Sequence, residues 1–125
     1  MPPITVIFYC KEDGEEPAKE FIVGLDKKMR ARVFRTIELL ERYGCELREP
    51  YSKHLGDGIF ELRCQLGTNI TRICYFFFHG GNAILTNGFV KKTQKTPTEE
   101  YERARRYRKA YLARGGCHDT VQGIS

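Results

Sequence analysis

Long apolar runs are missing from this chain. No stretch approaches ~20 apolar residues, so no segment is expected to span a bilayer. The opening residues, MPPITVIFYC, lack a basic n-region and a small-residue cleavage site, which argues against a signal peptide and makes the cytoplasm the expected location. The chain also lacks a CxxC pair. Its five cysteines, Cys10, Cys45, Cys64, Cys74 and Cys117, are odd in number and scattered, with no Cys/His spacing of a zinc site. They read as free thiols in a reducing compartment. Cys117-His118-Asp119 carries ligating atoms, but the glycine-rich tail around it argues against a metal site, and no cofactor is expected. There is no internal repeat and no composition shift marking a second domain. One domain is expected over residues 1–114, with a flexible tail over 115–125.

What is present fits a globular chain. Of 125 residues, 41% are hydrophobic and 30% charged, enough apolar material for a real core. The net charge of +5 is unevenly placed. Residues 91–114 hold nine basic and three acidic side chains; the other 101 hold twelve basic and thirteen acidic. The whole excess therefore sits in one segment, and concentrated positive charge suits a polyanion such as RNA, whose counterions it releases. The alternative is a solvated basic helix.

Hydrophobic periodicity divides the chain. Ile4 to Tyr9 is a short β-rich run. Pro17 suits a first helical position, and Ala18, Phe21, Ile22 and Leu25 form a helical stripe. Asp26 is placed to cap a second helix, roughly Lys27 to Tyr43, whose apolar face is Met29, Val33, Ile37 and Leu40, and Gly44 is placed to stop it. Residues 45–58 read as loop. Ile59–Gln65, Ile70–Phe78 and Ala83–Val90 then read as three strands of a meander. In the first, Phe60, Leu62 and Cys64 share one face and Glu61 and Arg63 the other. In the second, Arg72, Cys74, Phe76 and Phe78 oppose Ile73, Tyr75 and Phe77. Its second half is apolar on both faces, which predicts a central strand with Arg72 nearer an exposed start. Thr96-Pro97-Thr98-Glu99 has the form of a helix start, with Thr96 as cap, and the helix is expected to run to about Arg114. The predicted order is β-α-α-β-β-β-α. This is a small α+β fold with a mostly antiparallel sheet, a helical hairpin on one face and a basic C-terminal helix.

Arginines within apolar strands need a partner or a ligand. Arg63 and Arg72 are therefore candidate phosphate ligands, and ion pairing with Glu61 or neighbouring acids is the alternative. Lys53, Lys91, Lys92 and Lys95 flank the same sheet in sequence. Histidine titrates near neutrality, so His54 is a candidate acid or base. Tyr101 can stack on a base or pack against the sheet.

These stretches resemble a known family. KHLGDGIFELR, the Arg opening TRICYFF, and GFVKKTQKTP before a basic helix are similar to the RelE/HigB superfamily of toxins, nearest the phage-derived HigB-like branch. The resemblance covers residues 4–112, and KKTQKTP is its most specific piece. It implies the RelE/ParE-like fold and a toxin of a type II toxin–antitoxin pair, inhibiting translation by cutting mRNA on the ribosome without a metal. The reaction it implies is attack of a ribose 2′-hydroxyl on the adjacent phosphate. It also implies a cognate antitoxin, often a helix-turn-helix protein, besides ribosome and mRNA as partners. Matched by position, Arg63, Arg72 and Lys92 would stabilise the transition state, with Lys53, Lys91, Lys95 and Tyr101 as RNA contacts. Glu49, before Pro50, and His54 are the candidates for base and acid. One position that is lysine in some members is Glu61 here, which leaves the base open. A ParE-like gyrase inhibitor and a non-catalytic RNA-binding phage remnant are the competing expectations.

Overall fold

The computed structural model describes residues 3–79, 81–91 and 96–115, the side chain of Lys91 excepted. Lys92, Lys95 and Cys117-His118-Asp119 lie outside the described residues, as does the tail beyond Gly115. The elements are β1 (Thr5–Phe8), α1 (Pro17–Val23), α2 (Lys27–Tyr43), β2 (Ser52–Gly56), β3 (Ile59–Leu66), β4 (Asn69–Phe78), β5 (Asn82–Lys91) and α3 (Thr98–Ala113). The five strands form one sheet in the order β1-β5-β4-β3-β2. β1 runs parallel to β5, and every other neighbouring pair is antiparallel. This is the expected α+β arrangement, with one strand more than predicted.

The added strand is β2, within the segment predicted to be loop. Its Ser52, Lys53 and His54 pair with Leu62, Glu61 and Phe60 of β3. An edge strand needs only one hydrogen-bonded flank, so a polar sequence such as SKHLG suffices.

The two sheet faces have separate cores. On one side, Ala18 and Ile22 of α1 and Met29, Val33, Ile37 and Leu40 of α2 pack on Leu62, Cys64, Ile73, Tyr75 and Leu85. Of the predicted stripes, Ala18, Ile22 and the four α2 residues are buried, while Phe21 and Leu25, the latter past the end of α1, are partly buried against the same core. α1 comes so close to β5 that a Cβ on Gly88 would run into the Phe21 ring. On the other side, α3 lays Ala104 and Tyr111 against Ile59, Cys74, Phe76, Ile84 and Phe89, with Tyr101 and Tyr107 partly buried beside them. Tyr107 stacks on Tyr9 at 4.8 Å, and Tyr111 meets the edges of Phe76 and Phe78 at 5.6 and 5.1 Å. Arg114 ties the far end of α3 to the chain after β1 by donating to the Cys10 carbonyl at 2.9 Å. β4 is interior and covered on both faces, as its two-sided apolar pattern predicts.

A bulge sets the α3 side of β5. Cys74 pairs with Asn87 and Tyr75 with Leu85, so Thr86 is the extra residue. Asn87 donates to the Glu100 carboxylate at 3.0 Å, which fixes the first turn of α3 over the sheet.

Candidate nucleic-acid interface

Strand alternation puts Glu61, Arg63 and Arg72 on the α3 face. Arg63 and Arg72 are directly opposite each other across β3 and β4. Two like charges in that relation repel. Glu61, two residues before Arg63 on the same face, compensates both. Arg72 donates from Nη1 to Glu61 Oε1 at 2.6 Å, and Arg63 Nε lies 4.0 Å from the same oxygen. The Thr96 hydroxyl donates to Glu61 Oε2, also at 2.6 Å. The Glu61 side chain is fully buried, that of Arg72 is 2% exposed and that of Arg63 is 20% exposed. Two cations share one anion, and the uncompensated charge emerges at Arg63.

Arg72 is therefore not at an exposed start of its strand. β3 and β5 flank it, with Phe89 opposite on β5 and the Glu61–Thr96 contact beside it. Its Nε is buried and finds no hydrogen-bond partner among the described residues. Thr96 likewise departs from expectation. α3 begins at Thr98 after Pro97 at the cap position, with no side-chain capping bond, because the Thr96 hydroxyl is spent on Glu61. Asp26 does stand at the cap position of α2, again without a side-chain bond.

The chain belongs to the family described as Phage derived protein Gp49-like (DUF891), whose model matches residues 20–109. That family is part of the RelE/HigB-like toxin group of toxin–antitoxin systems, and so implies an antitoxin partner. No curated protein matches the chain significantly.

The other candidate residues divide by position. Lys53 pairs with Glu61 across β2 and β3, which puts it on the arginine face, where it is exposed. His54 pairs with Phe60 and points to the opposite face, with its ring 4.7 Å from the Phe60 ring. Glu49 is exposed and joins Lys53 and His54 in lining a 210 Å³ depression at the edge strand, to which neither Arg63 nor Arg72 contributes. The expected convergence of His54 and Glu49 with the arginines is thus not the arrangement found: the period-2 alternation of β2 turns His54 away from them. Lys91 ends β5 opposite Ile70. Tyr101 packs against the α3-side core and donates to Asp57 Oδ2 at 3.1 Å. Desolvation first, then Asp57, hold its hydroxyl above the ordinary tyrosine pKa.

Sequence reasoning weighed Glu61 only as a missing lysine or a structural partner. Its place at the centre of the cluster follows from sharing a strand face with Arg63, one diagonal from Arg72. The thiols on the sheet are unlike nucleophiles. Burial pushes Cys64 up to about 11 and raises Cys74 further. Among the described residues no group of three or more His, Cys, Asp or Glu is placed to hold a metal ion, and no helix is long and apolar enough to cross a membrane.

Proposed function

We propose that this Gp49-like chain is the toxin of a toxin–antitoxin pair and acts as a ribosome-dependent mRNA endonuclease. The observation that carries the reading is the Arg63–Glu61–Arg72 cluster. A buried carboxylate holds two guanidiniums at one end of a sheet whose neighbouring segment carries the chain's whole positive excess. Fixed cations of this kind stabilise the charge that develops on a phosphate under attack, and they need no reorganisation during the reaction.

In the proposed reaction a ribose 2′-oxygen attacks the adjacent phosphorus. The P–O5′ bond breaks, leaving a 2′,3′-cyclic phosphate and a 5′-hydroxyl. Arg63, the partly exposed member, contacts a phosphate oxygen. Arg72 contributes fixed charge from behind and holds Glu61. Lys92, from the basic stretch that follows β5 in the sequence, completes the clamp, with Lys53, Lys91 and Lys95 along the RNA backbone. The 2′-hydroxyl proton goes to a base and the 5′-oxygen takes one from an acid. Glu61 has no exposed surface and is unsuited to either role in this arrangement. Glu49 and His54 serve only if the RNA wraps the β2 edge of the sheet. The antitoxin silences the toxin by covering the cationic face or by docking on α3.

Primer extension on an mRNA after induced expression tests the reading. Cuts within codons that vanish when translation is blocked, ending in 2′,3′-cyclic phosphate, are expected. Intact mRNA with arrested growth contradicts it and points to a gyrase-directed toxin. Intact mRNA with normal growth contradicts it in favour of an inert remnant.

A further inference from the structure

Beside Arg63, past the end of β2, the edge of β3 loses its strand partner and a cavity of 360 Å³ opens. Its walls come from four parts of the chain: Arg32 of α2, Pro50 and Tyr51 of the preceding loop, Arg63 and Gln65 of β3, and Ile70 of β4. We propose that it is a nucleotide subsite. It would take one base of a single-stranded RNA, with the flanking phosphate on Arg63 and Arg32. The link to cleavage rests on the function proposed above; the binding site itself does not.

Three observations support this ligand class. The first is charge. Two guanidiniums line the cavity and no acidic residue does, whereas the larger groove on the outer face of α3, 690 Å³, contains Asp57 and Glu102 among its basic residues. There Arg105 is already engaged, 3.1 Å from Asp57 and 3.0 Å from Glu102. The second is shape and surface. Pro50, Ile70 and the Tyr51 ring give apolar lining beside the polar Arg32, Thr36, Arg63 and Gln65, and small-ligand sites combine apolar surface with a few placed polar groups. Tyr51 is 44% exposed although it is a large aromatic, and an exposed ring beside cations is how single-stranded nucleic acid is held without base pairing. The third is position. The Arg63 amide donates to the Tyr51 carbonyl at 2.8 Å, so backbone pairing brings these two cavity-lining residues side by side. A phosphate on Arg63 then has its own base within reach of Tyr51. Gln65 is anchored by donating to the Gly67 carbonyl at 3.0 Å, and its amide offers an edge for hydrogen bonds to a base.

The test is fluorescence anisotropy with the full chain and two probes. One is a labelled hexaribonucleotide carrying 2′-O-methyl groups, which cannot undergo 2′-hydroxyl attack. The other is inorganic polyphosphate, competed against the first, which has charge and no bases. Tyr51→Ala is expected to weaken oligonucleotide binding about 10-fold, the scale of one lost base stack, and to leave polyphosphate binding unchanged. Tyr51→Phe is expected to keep both, and Arg32→Ala to weaken both. Wild-type protein that does not bind the oligonucleotide overturns the proposal. So does Tyr51→Ala acting equally on both probes, or on neither, with an unchanged melting temperature. A chain that shows the expected binding pattern but never cleaves mRNA contradicts the endonuclease reading and leaves the subsite standing. A chain that cleaves mRNA while Tyr51→Ala binds as wild type overturns the subsite alone.

Discussion

Arg72 and Glu61 form their ion pair on a diagonal. Arg72 is registered against Arg63, Glu61 is registered against Cys74, and the 2.6 Å bond runs between the two rungs. Both side chains are buried, so neither charge has water to fall back on. Truncating Arg72 to Ala leaves the buried Glu61 carboxyl without its 2.6 Å partner and is expected to cost about 3–5 kcal/mol of stability. Replacing both, with Glu61→Leu and Arg72→Met, is expected to recover most of that loss. Urea unfolding of the two single variants and the double variant measures the coupling, and simple additivity contradicts the assignment. Loss of toxicity in Arg72→Ala therefore reports on folding as well as on phosphate contact, which makes Arg63 the cleaner probe.

Gly88 is required by the approach of α1 to β5. Gly88→Ala drives a methyl into the Phe21 ring, and overpacking of this kind is expected to cost about 1–3 kcal/mol. Combining it with Phe21→Leu opens the space and should reduce the penalty of the alanine. Thermal unfolding of the variants checks this. An unchanged midpoint for Gly88→Ala contradicts the close packing.

Stability is expected to fall at alkaline pH. Burial pushes Cys64 from 9.0 up to about 11 and Tyr75 from 10.0 up to about 12. The folded chain thus holds these protons more tightly than the unfolded chain does. The contribution is complete below about pH 9, falls as pH rises through each group's unfolded and folded values, and is lost above them. Urea midpoints measured from about pH 8 to pH 12 should decline over that window, and Cys64→Val should make the decline shallower between about pH 9 and pH 11 without abolishing it, because buried Cys74 contributes over the same range. A flat profile contradicts the burial of these groups. In native protein at neutral pH a thiol reagent is expected to modify exposed Cys45 ahead of buried Cys64 and Cys74.

Much of the fold was legible where one physical signal dominated. The stripe Met29, Val33, Ile37 and Leu40 marked α2, and the two-sided apolar half of β4 marked an interior strand. β2 was not legible, because an edge strand needs backbone partners and SKHLG has no alternation of its own. The parallel pairing of β1 with β5 joins residues far apart in the chain and leaves no local trace. In the candidate site, alternation did place Glu61, Arg63 and Arg72 on their faces. It did not reveal that Thr96 would leave its capping role to hold Glu61. With β2 read as loop, it also had no means of turning His54 to the other side.

The most direct measurement is the single-turnover rate of mRNA cleavage in purified ribosome complexes with an empty A site, for wild type and Arg63→Ala at matched melting temperatures. Losing one fixed donor to a developing phosphate charge is worth about 2–4 kcal/mol, so a drop of roughly 30- to 1,000-fold is predicted. Cleavage by Arg63→Ala at the wild-type rate would contradict the account of this face as the catalytic one.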